Sequence, residues 1–107
     1  MVKEIESVTF GTVLNMPAIV ISGPFDFMSS KIDTFVEGLI GKGTVSIVLD
    51  LSASHYLTSM GIATIFKLIK KINAAGGMLH IAGATDDMKE VIQLSNVNAY
   101  VSYIDDY

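Results

Sequence analysis

The chain has 107 residues, of which 50% are hydrophobic and 17% are charged, with a net charge of −4 and no cysteine. This length supports one hydrophobic core, and the composition excludes an intrinsically disordered chain. The lack of cysteine excludes disulfides and cysteine-bound zinc, and the acidic balance without a basic cluster argues against nucleic-acid binding.

The N-terminal residues alternate between polar and apolar types and lack the features of a signal peptide. The most apolar helical stretch, residues 61–72, is interrupted by three lysines and is too short to cross a bilayer. We therefore expect a soluble cytoplasmic protein that forms a single domain over residues 1–107 and has no membrane segment.

Two strands and a helix are predicted in the first part of the chain. Residues 5–14 carry β-branched residues in loose alternation, as in a strand, and residues 15–17 (Asn-Met-Pro) are typical of a turn. Residues 18–21 form a short apolar run, which we interpret as a second strand antiparallel to the first. A helix then starts at Ser29-Ser30, either of which can cap it, and stops at Gly41. Its apolar stripe consists of Ile32, Phe35, Val36, Leu39 and Ile40.

The middle of the chain predicts a central strand followed by a longer helix. Residues 45–51 are almost continuously apolar, which is typical of a strand covered on both faces. A polar segment over residues 52–59 leads into the helix, which ends at Gly76-Gly77. The stripe of this helix consists of Ile62, Ile65, Phe66, Ile69 and Ile72.

The last part of the chain adds a strand, a helix and a final strand. Residues 78–82 form the fourth strand, and residues 100–104 form the fifth. Between them, Asp87 and Glu90 have the spacing of a capping box, with residues 85–86 (Thr-Asp) as alternative caps. The order ββαβαβαβ predicts an α/β domain whose mixed, mostly parallel sheet is connected by right-handed crossovers.

Chemical motifs are scarce. The two histidines, His55 and His80, lack further ligands at metal-binding spacing. Ser59 lies in Thr-Ser-Met-Gly rather than in the Gly-x-Ser-x-Gly motif of hydrolases. Residues 41–44 (Gly-Lys-Gly-Thr) precede a strand and do not match a phosphate-binding P-loop. We therefore expect no catalytic residues, no metal, no cofactor and no enzymatic activity.

Two methionines fall at predicted junctions between a loop and a helix. Met28 follows Phe25 and Phe27, and Met60 follows Ser59. Exposed Met and Phe side chains can form a patch that binds a partner protein. Local packing of the same side chains is the alternative.

Residues 45–63 carry a family resemblance. An apolar strand ending in Asp-Leu is followed by the pair Tyr56-Leu57 and then by residues 58–63 (Thr-Ser-Met-Gly-Ile-Ala). This pattern resembles the STAS domain of bacterial anti-sigma factor antagonists, in which Asp-Ser-Ser/Thr-Gly-Leu-Gly begins a helix. Residues 20–26, the Gly-Gly turn at 76–77 and residues 84–92 also resemble family segments, so the resemblance covers essentially the whole chain.

The resemblance implies a function in transcription regulation. In that family the unphosphorylated antagonist binds an anti-sigma factor, which is a serine kinase, and thereby frees the sigma factor. The kinase phosphorylates the serine of the motif and binding is lost, and a phosphatase restores it. Ser59 matches that serine. The surrounding partner surface is expected to consist of Asp26, Phe27, Met28, Thr58, Met60 and Gly61.

The chain departs from the family motif at three positions. Thr58 stands in place of the motif Asp, Met60 in place of the second Ser or Thr, and Ala63 in place of the second Gly. The residues alone leave open whether Ser59 or Thr58 serves only as the helix cap. Two further interpretations stay open: a scaffold subunit of a sensory or transport complex that is not phosphorylated, and a small-ligand binder that uses the region of Asp26 and Ser59. We expect a monomer or a weak dimer.

Overall fold

A computed structural model describes residues 7–23, 30–44, 46–54, 58–94 and 101–104. These residues form five strands and three helices in the predicted order ββαβαβαβ. The elements are β1 Ser7–Val13, β2 Met16–Ser22, α1 Ser30–Gly41, β3 Ser46–Ala53, α2 Ser59–Ala74, β4 Met78–Ala82, α3 Asp86–Leu94 and β5 Val101–Ile104.

The sheet follows the chain order, β1-β2-β3-β4-β5. β1 pairs with β2 in antiparallel fashion, and the other three pairings are parallel. The predicted mixed, mostly parallel sheet is therefore confirmed. Because β2 to β5 all run in the same direction, their carboxyl ends meet at one edge of the sheet, and α2 and α3 begin there.

The turn between β1 and β2 differs from the prediction at residues 15–17. The turn residues are Leu14 and Asn15, which both have positive φ (50° and 66°), and Val13 pairs with Met16 across them. Two positive φ angles are what a two-residue type I′ hairpin requires. Met16 and Pro17 belong to β2 instead, so the prediction of a turn there was wrong.

Pro17 is tolerated in β2 because of its position in the ladder. Counting from the Val13–Met16 pair that closes the turn, hydrogen-bonded and non-hydrogen-bonded pairs alternate along the hairpin. The pair of Thr12 and Pro17 is of the non-hydrogen-bonded kind, so β1 needs no N–H from Pro17. The parallel pairing with β3 begins only at Ala18. Proline therefore removes no bond that either neighbouring strand uses.

α1 ends at Gly41, as predicted, and the glycine that closes the helix lies two residues further on. Gly41 is the last helical residue, and Gly43 is the residue that takes the left-handed conformation, with φ of +83°. The Gly43 N–H donates to the Ile40 carbonyl and the Thr44 N–H to the Leu39 carbonyl, both at 2.9 Å. This pair of bonds is a Schellman motif, in which glycine relieves the strain of positive φ.

The end of α2 follows the same geometry, and here the prediction of Gly76-Gly77 is confirmed. Gly76 has φ of +84°. Its N–H donates to the Asn73 carbonyl and that of Gly77 to the Ile72 carbonyl, both at 2.9 Å. α1 and α2 thus each end on a left-handed glycine and turn back toward the sheet.

The main core lies between one face of the sheet and all three helices. Alternate residues of the strands contribute the sheet side, including Ile19, Ile21, Ile47, Leu49, Leu51, Leu79 and Ile81. The helices contribute Ile32, Val36, Ile65, Leu68, Ile69, Ile72, Met88 and Ile92. Of the predicted stripe of α2, Ile62 and Phe66 are only half-buried, whereas Leu68 and Thr64 are buried instead.

Lys71 connects α1 to α2 at the protein surface. Its Nζ lies 3.0 Å from Glu37 Oε1 and 3.3 Å from Asp33 Oδ1. The hydrogen bond to Glu37 raises the pKa of the Lys71 ammonium above its ordinary value. Burial acts in the opposite direction, and the hydrogen bond to Asp33 supports the increase. The two carboxylates thus favour the charged form of the lysine in the folded state.

Lys71→Met should lower the free energy of unfolding by about 0.5 kcal/mol at neutral pH, because exposed ion pairs contribute little each. The folded-state pKa is raised, so the contribution is fully present below the unfolded pKa and is lost as pH rises through the folded pKa, above about 10.5. Urea unfolding of wild type and variant across this pH range measures the difference. Lys70→Met is the control, since Lys70 is an exposed lysine on the same helix. An equal loss for both variants would contradict a specific interaction of Lys71.

A close contact fixes the carboxyl ends of β3 and β4 relative to each other. Gly83, just after β4, has φ of +70°. A Cβ built on it would lie 2.6 Å from Ser52 Cβ and 2.7 Å from Ser52 Cα and N. The Ser52 N–H is in turn held by Asp50, whose buried Oδ1 accepts it at 2.9 Å. A residue larger than glycine at position 83 would therefore require one of the two strands to shift.

Gly83→Ala should destabilise the domain more than Gly43→Ala. Both glycines have positive φ, so each alanine costs about 1 kcal/mol in backbone conformation. Only position 83 faces another strand, because an added Cβ at Gly43 meets nothing within 4 Å. We expect overpacking to cost Gly83→Ala about 1–3 kcal/mol more. Urea unfolding measures both losses, and equal values would show that the contact with Ser52 imposes no constraint.

Candidate functional site

The predicted site lies at the carboxyl edge of the parallel strands. Residues 58–61 (Thr-Ser-Met-Gly) form the cap and the first turn of α2, which follows β3. α3 starts at the same edge, after β4, with Asp86 and Asp87 exposed in its first turn. The other predicted contact residues, Asp26, Phe27 and Met28, lie outside the described residues.

Thr58 is the cap of α2, which answers the question that the sequence left open. Its backbone is extended (φ −93°, ψ 174°), and its Oγ1 accepts the N–H of Gly61 at 3.3 Å. Its carbonyl accepts the first helical bond, from Ile62, at 2.9 Å. Ser59 is therefore the first residue of the helix rather than its cap. The threonine at the position of the motif Asp thus caps the helix and carries no charge.

The same arrangement recurs at the start of α3. Thr85 Oγ1 accepts the N–H of Met88 at 3.1 Å, and the Thr85 carbonyl accepts the N–H of Lys89 at 2.9 Å. The alternative cap Thr85 is thus confirmed, whereas the capping box from Asp87 to Glu90 was wrong. Sequence spacing favoured the acidic pair because glutamate at the third helical position is the usual sign of a capping box. The Thr85 cap also accepts the N–H of the third helical residue. That residue is Met88, whose side chain cannot return a bond to the cap as a glutamate would.

The first turn of α2 presents one hydroxyl and one thioether outward. Ser59 is exposed, and no hydrogen bond holds its hydroxyl within the described part of the chain. Met60 is 52% exposed, whereas Gly61 is buried. About half of the Met60 surface is thus accessible to a partner. An exposed hydroxyl beside an exposed apolar side chain is suited to contact with another protein.

Thr64 holds this turn in place, and the sequence analysis did not single it out. Its side chain is only 1% exposed, and its Oγ1 donates to the carbonyl of Met60 at 2.9 Å. A threonine on the buried stripe of a helix, four residues after the exposed position, is the signal that could have revealed it. The bond connects a buried residue of α2 to the backbone of the turn that carries Ser59.

The described residues around Ser59 do not form a metal-binding cluster. Among the described residues, no three His, Asp or Glu side chains lie close enough to hold an ion. Surface cavities of about 360 and 530 Å³ are lined, within the described residues, by β1, α1 and the C-terminal end of α2. In the same part of the chain no helix is both long and apolar enough to cross a membrane.

The fold is shared with solved structures of low sequence identity. The anti-sigma factor antagonist SpoIIAA in its unphosphorylated form aligns with a TM-score of 0.70 and 16% identity over 94% of this chain and 90% of that chain. An anti-sigma factor antagonist from Mycobacterium paratuberculosis gives 0.73 and 14% over 95% and 87%. The murine anion transporter Slc26a9 gives 0.58 and 17% over 92% of this chain but 20% of that chain. At these identities the likeness concerns the fold.

The comparison of sequences gives the family. No curated protein is significantly similar to this chain. The family model of the STAS domain, in contrast, matches residues 5–106, which is nearly the full length. The match spans every strand and helix described above, together with the turn of α2 that carries Ser59. The chain belongs to the STAS domain family.

Proposed function

We propose that this domain is an anti-sigma factor antagonist that binds an anti-sigma factor through the N-terminal turn of α2, and that phosphorylation of Ser59 by this partner abolishes binding. The observation that carries the proposal is the division of roles between Thr58 and Ser59. Thr58 caps the helix, so the Ser59 hydroxyl is exposed and is not needed to stabilise the fold. The domain acts by binding rather than by catalysis, and a phosphatase returns it to the binding form.

The position of Ser59 supports both states of such a switch. A phosphoserine adds about −1.5 to −2 charges. At the first residue of a helix this charge faces the positive end of the helix dipole, which favours a nearby anion by about 0.3–1 kcal/mol. The phosphorylated domain therefore keeps its fold. A partner surface that fits the neutral turn closely must instead desolvate the new charge, and this cost weakens the complex.

Met60 supports a direct contact at the same turn. A half-exposed methionine next to the acceptor gives a partner apolar area at the place where the charge would appear. The family motif has a hydroxyl residue at this position, so the contact surface of this chain is more apolar. We infer that its partner has a matching apolar surface, and that Asp26, Phe27 and Met28 extend the same contact.

Incubation with the cognate anti-sigma kinase and ATP should add one phosphate to the wild-type chain, measured by intact mass. Peptide mapping should place it on Ser59 rather than on Thr58, because the Thr58 hydroxyl is half-buried and accepts the Gly61 N–H. Ser59→Ala should stay unmodified. Addition of phosphate to Ser59→Ala at the wild-type rate would contradict the assignment, and no addition to wild type would exclude the switch while leaving the binding role.

Ser59→Asp should weaken binding to the anti-sigma factor at least tenfold, whereas Ser59→Asn should bind within a fewfold of wild type. The two side chains have nearly the same shape and differ in charge, so the comparison isolates the electrostatic effect. Calorimetric titration measures both affinities. Thermal unfolding serves as the control, because an acidic residue in the first turn of a helix should leave stability unchanged or slightly higher. Equal affinity of the two variants would contradict the mechanism.

A scaffold role without phosphorylation is the alternative, favoured by one observation. The STAS fold also occurs as a fifth of the length of the murine transporter chain, where it is one part of a larger protein. The motif positions Thr58, Met60 and Ala63 depart from the antagonist pattern in this chain. Native capture of the tagged domain separates the two functions. A single ATPase related to histidine kinases supports the antagonist, and a stable assembly of many subunits supports the scaffold.

A further inference from the structure

Within the described residues, β1 forms an edge of the sheet with a neighbouring strand on one side only. The strand order places β1 outside β2, and four consecutive residues, 9–12, are exposed. The strand has seven residues (Ser-Val-Thr-Phe-Gly-Thr-Val), whereas β5 at the opposite edge has four. The longer edge is therefore the one open to a further strand.

This edge lacks the features that prevent strands from pairing. Proteins usually protect an exposed edge with charged residues, prolines, bulges or short strands. β1 contains no charged residue and no proline, and its pairing with β2 is regular over all seven residues. The strand is therefore neutral, although the whole chain carries a net charge of −4.

The ladder with β2 determines which backbone groups face outward. The pairs Val13–Met16, Gly11–Ala18 and Thr9–Val20 exchange hydrogen bonds within the hairpin, because pairs alternate from the turn. The N–H and C=O groups of Val8, Phe10 and Thr12 therefore point away from the sheet. Phe10 is the central residue of this set of three.

We propose that two copies of this chain pair through β1, antiparallel and with the two-fold axis at Phe10, to form a continuous ten-stranded sheet. In this register Phe10 faces the Phe10 of the second copy, and Val8 faces Thr12 on both sides of the axis. All three outward residues then exchange two hydrogen bonds each with the other copy. This inference concerns a different edge from Ser59 and goes beyond the proposed function.

The aromatic side chains support a second copy as the occupant. Phe10 is 41% exposed, and its ring stacks on Phe35 of α1 with a centroid distance of 4.2 Å and an interplanar angle of 17°. A surface cavity of about 360 Å³ lies beside these two rings, lined also by Lys31 and Thr34. The two-fold axis brings the second Phe10 ring to the same face of the sheet, next to the first. Each copy thus covers the exposed aromatic surface of the other.

The charge pattern also favours self-association over a charged partner. Two copies that each carry −4 repel each other except where the contact is neutral, and β1 is neutral along its whole length. A strand edge and two aromatic rings bury less area than a standard interface. The dimer is accordingly weak and depends on protein concentration.

Light scattering on a concentration series should show a mass that rises from 11.5 kDa toward twice that value. Thr12→Pro should remain monomeric, because it removes an outward N–H that the hairpin itself does not use. Thr12→Val keeps this N–H and the branched shape, and should dimerise like wild type. Circular dichroism checks that both variants are folded. A monomeric wild type at every concentration, or a dimer that survives Thr12→Pro, would overturn the proposal.

Cross-linking tests the register without changing Phe10. The proposed axis places Thr9 opposite Gly11 of the second copy in a non-hydrogen-bonded pair, whose Cα atoms lie about 4.5 Å apart. This separation suits a disulfide, and the native chain has no cysteine to compete. An added Cβ at Gly11 meets nothing within 4 Å. A mixture of Thr9→Cys and Gly11→Cys chains should form disulfide dimers at least tenfold faster than either variant alone. Equal rates would contradict this register.

Discussion

The burial of β3 on both faces is the constraint on which the rest of the structure depends. Residues 47–51 are all buried, with neighbouring strands on both sides and helices over one face. A shift by one residue would move Ile47, Leu49 and Leu51 off the helix-covered face and put Val48 and Asp50 beneath the helices instead. Its carboxyl end therefore has a fixed place, and α2 starts from that place. The buried core, rather than the local turn, therefore determines where Ser59 lies.

At the N-terminus of α2, Thr58 caps the helix and Ser59 presents an exposed hydroxyl, two roles that a single serine could fill. In a helix whose cap is the reactive residue, any modification of the hydroxyl also removes the bond that starts the helix. Here Thr58 makes the capping bond and Thr64 holds the Met60 carbonyl, so the fold does not depend on the Ser59 side chain. Thr58 thus stabilises the start of the helix, whereas Ser59 provides the accessible hydroxyl. A regulatory residue can change its charge state in such a site while the scaffold stays the same.

The sequence was sufficient for the elements and their order because both follow from periodic burial. The apolar run over 45–51 and the helical stripes are enough to predict β3, α1 and α2. The turn was misplaced because Leu14 is an unusual residue at positive φ, and the pattern pointed to Pro17 instead. The contact of Gly83 with Ser52 was not predictable either, since it depends on how closely two strands approach at their ends.

The parts of the candidate site were predictable to different degrees. Residue chemistry alone placed Ser59 at the start of a helix, and the resemblance gave that position a function. Choosing between Ser59 and Thr58 as the cap required backbone angles, because both residue types favour the same position. The interaction of Lys71 with Glu37 joins residues 34 positions apart, and no local pattern marks such a pair.

The sequential order of the strands also bears on how the domain reaches its native state. Each strand lies next to the one that precedes it in the chain, so no pairing has to wait for a distant segment. The entropy lost on closing each connection is that of a single turn or a single helical crossover. The sheet can therefore grow one strand at a time from the hairpin, in the order in which a ribosome delivers the chain. During that growth β4 pairs with β3 only after the chain has passed through α2, so the turn that carries Ser59 lies between the docking of the third strand and that of the fourth.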